Sequence, residues 1–233
     1  MNLKPFGPWR PAPSTRSRAW AVLVLLALLV GACTNPFKPA DPEPPDAGGV
    51  PERWGSPEEV LETVALALAS RSTNGATAYV RAFADSTVAG DKAYRSFYDG
   101  GVKANWQAAT QLTAPEPWDI QQERNVHNTI SGIRPTFDYA WQWGRDDTGS
   151  PLDDDPALSD TVVYHRKYTL LAIPKAGSSE IIAIGYVDMA FQKKDGRWSI
   201  YRWVDRVDPA IGVNPAATDQ RTMSWWRLES LTR

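Results

Sequence analysis

The sequence predicts an α+β domain in which N-terminal helices pack on an antiparallel sheet. In the first half of the domain, apolar residues recur at the helical period of about 3.6 residues. The second half instead holds four long segments rich in β-branched and aromatic residues, which are typical of strands. Because the helices come before the strands and do not alternate with them, an α+β arrangement is favoured over a parallel α/β sheet.

The first helix carries a strong start signal. Ser56 stands at the predicted N-cap, Pro57 at the first helical position and Glu59 three residues after the cap, which makes a capping box. Apolar residues follow at helical spacing as far as Leu68, and Asn74-Gly75 is expected to end the helix. Further helices are predicted at 76–84, 100–112 and 117–128, with a short strand at 93–98.

The long strands are predicted in the second half of the domain, at 134–143, 161–173, 180–191 and 197–206. Asp195-Gly196 joins the last two as a tight hairpin, because these residues accept the positive φ angles of a type I′ turn. The 174–179 segment is expected to form a second hairpin loop. Both alternating sets of residues on 180–191 are apolar, which predicts a strand covered on both faces.

The N-terminus predicts export and a lipid anchor. Four basic residues precede an apolar block at 19–30, which is too short to span a bilayer and fits a signal sequence. Val30-Gly31-Ala32-Cys33 then resembles the lipobox of bacterial lipoproteins. That resemblance implies cleavage after residue 32, acylation of Cys33 and membrane attachment, because acyl chains contribute about 0.8 kcal/mol per buried methylene. A plain secretory signal with an incidental cysteine is the alternative.

Three regions are therefore expected: a lipoprotein signal peptide at 1–32, a Pro-rich tether at 33–54 and one domain at 55–233. The tether holds too few aliphatic residues to fold, and its prolines favour extended conformations. The full chain has 25 Lys and Arg against 27 Asp and Glu, and loss of the leader removes four basic groups, so the mature net charge is −6. An acidic domain is a poor candidate for nucleic-acid binding.

The order of the predicted elements resembles that of the nuclear transport factor 2-like superfamily. The hairpin "KKDGRWSIYRWVD" is similar to the C-terminal hairpin of bacterial members, and "SPEEVLETVALAL" is similar to their first helix. The resemblance implies a cone-shaped domain, in which a curved sheet wraps around helices and leaves a pocket at its open end. The superfamily includes isomerases, dehydratases, binding modules and assembly factors, so the resemblance does not decide the function.

The common catalytic motifs are absent. The sequence has no nucleophile elbow, no phosphate-binding glycine loop, no His-Glu-x-x-His and no Cys-x-x-Cys. His127 and His165 are the only histidines, which excludes a multi-histidine metal site. His165 lies within a predicted strand, where a surface or hydrogen-bonded role is favoured over catalysis. The acidic segment 146–160 lacks the order of an EF-hand loop, so a solvated connection is favoured over a calcium site.

Asp188 and Asp205 are the candidate catalytic residues, because both lie within strongly apolar strands where an unpaired charge is costly. Members of the superfamily use an Asp for proton transfer next to a carbonyl, which is the role that the resemblance implies. Ion pairing with neighbouring arginines is the alternative and is favoured.

Aromatic side chains are the candidate ligand-binding residues. Trp141, Trp203 and Tyr186 lie on predicted strands, where they can line a pocket or simply fill the core. The Trp225-Trp226 pair near the C-terminus is expected either to pack back on the sheet or to contact a partner.

We therefore expect a non-catalytic, lipid-anchored protein of the bacterial cell envelope, whose domain binds a small apolar ligand or an envelope partner protein. Two alternatives stay open: an isomerase- or lyase-type enzyme with Asp205 or Asp188 as general base, and a structural component that associates through its sheet face and Trp-rich tail. No cofactor, metal or nucleic acid is expected, and a homodimer is left open. The domain is expected to face the periplasm. The outer membrane is favoured because Thr34, and not Asp, follows Cys33.

Overall fold

The computed structural model describes residues 49–87, 92–210 and 221–232. The predicted leader and Cys33 lie outside these residues. The helices are α1 Pro57–Ala69, α2 Thr73–Arg81, α3 Gly100–Thr110, α4 Ile120–Ile133 and α5 Met223–Glu229. The strands are β1 Arg95–Phe97, β2 Asp138–Arg145, β3 Thr161–Ile173, β4 Glu180–Lys194 and β5 Arg197–Arg206. The predicted α+β class, with helices that precede and pack on a sheet, is confirmed.

The start of α1 is the predicted one, but its end is not. The Ser56 hydroxyl accepts a hydrogen bond from the backbone N–H of Glu59, as a capping serine should. The helix ends at Ala69, whereas Asn74 and Gly75 lie in the first turn of α2. Gly75 is needed there for close approach, because a Cβ atom would lie 2.6 Å from the Ser70 carbonyl oxygen.

The five strands form one sheet in the order β1-β5-β4-β3-β2. The four long strands pair antiparallel with their neighbours, as predicted, but β1 pairs parallel with β5. The sheet is therefore mixed and not purely antiparallel as predicted. The difference comes from β1, a three-residue strand that precedes β2, β3 and β4 in sequence and pairs with β5. Asp195 and Gly196 both have positive φ at the β4–β5 turn, which confirms the predicted hairpin.

The sheet has a helix-covered face and an outer face. Register shifts at Leu170/Leu171 and Ala190/Phe191 bend the long strands, as β-bulges do. On the helix-covered face, side chains such as Tyr168 and Trp203 form the core with α1, α2 and α4. The outer face carries Tyr186, which is nevertheless buried, so β4 is covered on both sides over much of its length.

Helix α5 packs against the core and against β4. Met223 and Leu228 are fully buried, and the Trp226 indole N–H donates to the Ile182 carbonyl at 2.9 Å. Trp225 packs half-buried against the core. The tryptophan pair that the sequence left open thus packs on its own domain.

The first described residues also contact the domain. Val50 and Trp54, which the sequence places in the tether, pack against the core, and the Arg53 backbone N–H donates to the Thr63 hydroxyl. The Trp198 backbone N–H donates to the Trp54 carbonyl at 2.8 Å, so Trp54 continues the hydrogen bonding of β5. The folded domain therefore begins before residue 55, because Val50 and Trp54 pack against its core.

Gly185 tests the packing between neighbouring strands of the sheet. A Cβ atom at this position would lie 2.5 Å from the Tyr168 hydroxyl and 2.9 Å from the Arg206 carbonyl. We expect Gly185→Ala to lower the free energy of unfolding by about 1–3 kcal/mol, the usual cost of overpacking. Urea denaturation followed by tryptophan fluorescence measures the change.

Gly144→Ala is the matched control, because its nearest contact on the same sheet would be an ordinary 3.6 Å. Equal stability of the two variants would contradict the packing described at Gly185.

Candidate functional site

A buried ion pair lies at the centre of the helix-covered face. Glu123 of α4 and Arg227 of α5 are both 0% exposed, and the Arg227 Nε donates to Glu123 at 2.9 Å. Three further donors reach the same carboxylate: the hydroxyls of Tyr79 and Tyr94 at 2.8 Å and the Trp118 indole N–H at 2.9 Å. A buried charge is tolerated only when it is paired and hydrogen-bonded in this way. The Glu123 carboxylate is therefore fully engaged by protein donors, whereas Nη1 of Arg227 is buried without a hydrogen-bond partner among the described residues.

Asp205, a predicted catalytic residue, lies next to this network and is sealed from solvent. Its side chain is buried, with the residue only 1% exposed, and accepts hydrogen bonds from the Tyr168 hydroxyl at 2.7 Å and from the Ser224 backbone N–H. Burial raises the pKa of Asp205 above its ordinary value, and the charge of Arg227 opposes that rise. Asp205 borders neither of the two clefts described below.

The structure brings two of the predicted ligand-binding aromatics together in the same core. Trp141 stacks on Tyr168 with ring centroids 5.1 Å apart, and Trp203 lies 6.4 Å from the same ring. Trp203 is fully buried beneath the Arg227 guanidinium, and Trp141 is nearly so. Both residues fill the interior where the resemblance implies a pocket.

Tyr186, the third predicted ligand-binding residue, lies on the outer face. Its hydroxyl donates to Asp147 and accepts from the Lys167 ammonium at 3.1 Å. Lys167 also pairs with Asp208 at 3.1 Å. The ring of Tyr186 is therefore held under the 146–160 loop by charged groups, and it does not line either cleft.

Asp188, the other predicted catalytic residue, is partly exposed on the outer face and is paired twice. Its Oδ1 lies 2.6 Å from the His165 Nδ1 and 2.8 Å from the Arg206 guanidinium. The predicted pairing with a neighbouring arginine therefore occurs, through Arg206. Strand register explains the histidine contact, because His165 and Asp188 are direct cross-strand partners.

The His165–Asp188 contact lies at the edge of an open cleft of about 520 Å³. The cleft is formed where β2 ends, β3 begins and the 146–160 loop passes over both. Its lining residues are Trp143, Gly144, Arg145, Asp146, Pro151, Leu152, Asp153, His165 and Arg166. A second cleft, of about 110 Å³, lies between 84–87, 93–95 and 119–121 and is smaller than a typical ligand site.

Hydrogen bonds hold the 146–160 loop in place. Asp146 accepts from the Thr148 and Ser150 hydroxyls and pairs with Arg206 at 2.6 Å. Burial alone would raise the pKa of Asp146, but these donors outweigh it and hold the pKa well below its ordinary value. Asp153 pairs with Arg166 and also accepts from the His165 backbone N–H.

The acidic residues of the loop thus have separate partners. Over residues 49–87, 92–210 and 221–232, no group of three or more His, Cys, Asp or Glu side chains converges on a point that could hold a metal ion.

The two histidines have different surroundings. His127 is buried in α4, with its Nε2 2.9 Å from the carbonyls of Ala67 and Ser70, and burial lowers its pKa. It joins α4 to the end of α1. His165 borders the cleft, and because its Nδ1 donates to the Asp188 carboxylate, the Nε2 of neutral His165 is a hydrogen-bond acceptor. An imidazole oriented in this way can accept a proton or a hydrogen bond from a bound molecule.

Glu123 and Arg227 were not predicted. Glu123 lies in a polar helix segment, "IQQERN", where a carboxylate gives no sign of burial. Arg227 stands between the buried residues Trp226 and Leu228, and a charge within such an apolar stretch is the signal that could have found it.

Comparison with known proteins finds similarity in structure only. No family profile and no curated protein sequence matches the chain. A protein of unknown function from Mycobacterium tuberculosis is 13% identical, with a TM-score of 0.45 over 75% of this chain and 83% of that one. A putative scytalone dehydratase from Novosphingobium aromaticivorans is 12% identical, with a TM-score of 0.41 over 65% and 80%.

A third similar structure is a putative calcium/calmodulin-dependent protein kinase type II association domain from Thiobacillus denitrificans. It is 11% identical, with a TM-score of 0.42 over 68% of this chain and 99% of that one. A similar arrangement of helices and strands says nothing about ligand or activity. Among the described helices, none combines the length and apolar character needed to cross a membrane.

Arg227→Met tests the buried pair. Removing the guanidinium leaves the charge of Glu123 buried without its ion partner, which typically costs about 3–5 kcal/mol. We expect a loss of that size in the free energy of unfolding, measured by urea denaturation, and a partial recovery in the double variant with Glu123→Gln.

Arg124→Met, at an exposed position of α4, is the control and is expected to change stability by less than about 0.5 kcal/mol. If Arg227→Met were as mild as this control, the pair would not be the central constraint of the core.

Proposed function

We propose that this protein is a lipid-anchored binding protein of the bacterial cell envelope. In this proposal residues 1–32 are removed, Cys33 is acylated and residues that follow form a tether that holds the domain in the periplasm, at the outer membrane. The domain binds a small, largely apolar molecule and does not transform it. The lipobox-like segment and the Pro-rich stretch support the anchor and the tether.

The hydrogen bonding of the two buried carboxylates is the observation that most directly favours a binding role over an isomerase-type enzyme. An isomerase-type enzyme needs a carboxylate inside a ligand-sized apolar space, with a donor opposite. Here Asp205 and Glu123 are buried among donors of the protein itself. Of the two clefts described, the one beside His165 has the size of a ligand site, since sites of 300–1,000 Å³ commonly hold small molecules.

A small ligand is favoured over association through the Trp-rich tail. Trp226 is buried and hydrogen-bonded to β4, and Trp225 packs against the core, so neither side chain is presented to a partner as a free aromatic surface. A concave cleft suits a small molecule better than it suits a flat protein surface.

The experiment is native mass spectrometry of the full chain, purified in mild detergent from bacterial membranes. We expect a lipid-modified N-terminal Cys33 and a co-purified small molecule that is released when the domain unfolds. Cys33→Ser is the matched control: it should leave the membrane fraction and keep the same small molecule. An unmodified Cys33 would contradict the anchor, and an empty domain in both proteins would contradict the binding role.

A second candidate is an enzyme that transfers a proton through His165. The 2.6 Å contact between the His165 Nδ1 and Asp188 favours it, because a carboxylate that orients an imidazole is a common arrangement for a general base. Asp188 would then act through the histidine and not as the base itself. The hydrogen bond from Arg206 to the same Asp188 oxygen weakens that assistance, which is why binding is the first proposal.

Deuterium exchange distinguishes the two candidates. An enzyme of this kind should exchange the hydrogen next to the carbonyl of small ketones and keto acids incubated in D₂O, and His165→Gln should abolish the exchange. The binding proposal expects no exchange above that of buffer, measured by proton NMR. Arg202→Gln, at an exposed position outside the cleft, is the control for nonspecific effects.

A further inference from the structure

We propose that the β1 edge of the sheet docks on an anionic phospholipid surface through Lys92, Arg95, Phe97 and Arg202, which we call the edge patch. The inference rests on the proposed membrane attachment and gives the tethered domain an orientation, with the edge patch against the headgroups and the 146–160 loop facing away. Three features support it: unpaired positive charge, an exposed aromatic ring and the place where the chain enters the domain.

Strand pairing brings three members of the edge patch to one face. Arg95 lies opposite Arg202 in the parallel β1–β5 pair, and Ser96 lies opposite Trp203. Ser96 and Trp203 are buried on the helix-covered face, so the alternation of side chains along a strand places Arg95, Phe97 and Arg202 on the outer face. The Arg202 guanidinium lies 5.8 Å from the centre of the Phe97 ring, which shows that these two side chains meet.

Lys92 extends the patch along the same face. Its backbone N–H donates to the Gln192 side chain at 3.0 Å. Gln192 follows Ala190 by two residues on β4, and Ala190 is the strand partner of Arg202, so both lie on the outer face. The Lys92 ammonium lies 4.3 Å from the centre of the ring of Tyr201, the residue before Arg202. Lys92 and Arg202 therefore belong to one surface.

The three cations of the patch are exposed and lack an ion partner. Over residues 49–87, 92–210 and 221–232, no Asp or Glu pairs with Lys92, Arg95 or Arg202. Arg95 and Arg202 are direct strand partners, and like charges at such positions destabilise a sheet. An anionic surface would relieve this repulsion, because phosphate groups accept hydrogen bonds from guanidinium groups.

Carboxylates that share this part of the surface are already engaged. Asp85 and Asp119 line the small cleft beside Arg95, and each accepts the backbone N–H two residues further along the chain. Asp188, on the outer face of β4, is paired as described above. These groups reduce the local positive charge, but none of them forms an ion pair with a member of the patch.

Phe97 supplies the apolar part of the surface. Its side chain is 48% exposed although it stands in a strand, and the neighbouring Ser96 is turned into the core. Surfaces that combine basic side chains with an exposed aromatic ring suit the boundary between headgroups and acyl chains. The ring can enter that boundary while Arg95 and Arg202 stay with the phosphates.

The acidic charge of the domain lies at the opposite edge of the sheet. The strand order is β1-β5-β4-β3-β2, and the 146–160 loop joins β2 to β3. Four strand spacings separate β1 from β2 by about 19 Å, whereas salt screens exposed charges beyond about 8 Å under physiological conditions. Asp147 and Asp155 of the loop are exposed and lack an ion partner among the described residues. An anionic surface therefore attracts the β1 edge and repels the other.

The chain enters the domain close to the edge patch. The Trp54 carbonyl accepts the backbone N–H of Trp198, which precedes Arg202 by four residues on β5, or about 13 Å along the strand. The stretch 34–49 spans at most about 55 Å when fully extended. An acylated Cys33 would thus keep the patch within reach of the headgroups, where weak contacts suffice because the effective concentration is high.

An environment-sensitive fluorophore at position 97 tests the inference. Cys33 is the only cysteine of the chain, so the acylated Phe97→Cys protein has one free thiol for a nitrobenzoxadiazole dye. The protein is reconstituted in vesicles of phosphatidylcholine alone, or of phosphatidylcholine and phosphatidylglycerol in equal parts. We expect blue-shifted emission, at least twofold stronger, in the anionic vesicles, and we expect high salt to remove the difference.

Two controls are matched to this measurement. The dye in Leu158→Cys, at a residue 84% exposed on the acidic loop, should not respond to the lipid composition. In the Phe97→Cys protein, Arg95→Gln combined with Arg202→Gln should remove the response. Arg145→Gln, at an exposed arginine of the opposite edge, should leave the response unchanged.

Two results would overturn the inference: equal emission from position 97 in both kinds of vesicle, or a response that survives the loss of both arginines. The intact mass of the same preparation reports the acylation of Cys33 separately. An acylated protein with an unresponsive position 97 means that the anchor stands and the edge patch is wrong. An unmodified Cys33 means that the anchor is wrong, and the proposed orientation with it.

Discussion

The ion pair between Glu123 and Arg227 is the constraint on which the rest of the domain depends. The two residues are 104 positions apart in sequence, and both are removed from water. Such a pair is expensive to bury unless it is hydrogen-bonded, and the hydroxyls of Tyr79 and Tyr94 and the indole of Trp118 donate to the carboxylate of Glu123. One carboxylate thereby fixes α2, α4, α5 and the chain segments beside β1 relative to one another.

This arrangement decides where chemistry can take place. Among the described residues, the cleft of about 520 Å³ lies at the ends of β2 and β3, beside His165 and the 146–160 loop. The accessible cleft is made by the strand ends and a loop, which are the parts of a domain that tolerate change most readily.

Local signals in the sequence predict local structure well. The Ser56 cap and the Asp195-Gly196 turn depend on neighbouring residues, and both appear as expected. Gly75 was misread because its role depends on the approach of Ser70 in the folded chain. Alternation along a strand identifies two sets of side chains but does not say which set faces the helices, so the sequence could not place Tyr186 on a different face from Trp141 and Trp203. The charge pairs at the cleft could not be predicted either, because they depend on cross-strand register.

The position of Arg227 in chain order also has a consequence for how the domain forms. Glu123 lies before all four long strands, and its ion partner follows the last of them. During synthesis, which starts at the N-terminus, Glu123, Tyr79 and Tyr94 are therefore made before Arg227, the residue that neutralises Glu123. Because a buried unpaired carboxylate is strongly disfavoured, the core should stay open and unfinished until α5 is present. The last helix is therefore the element that completes the core.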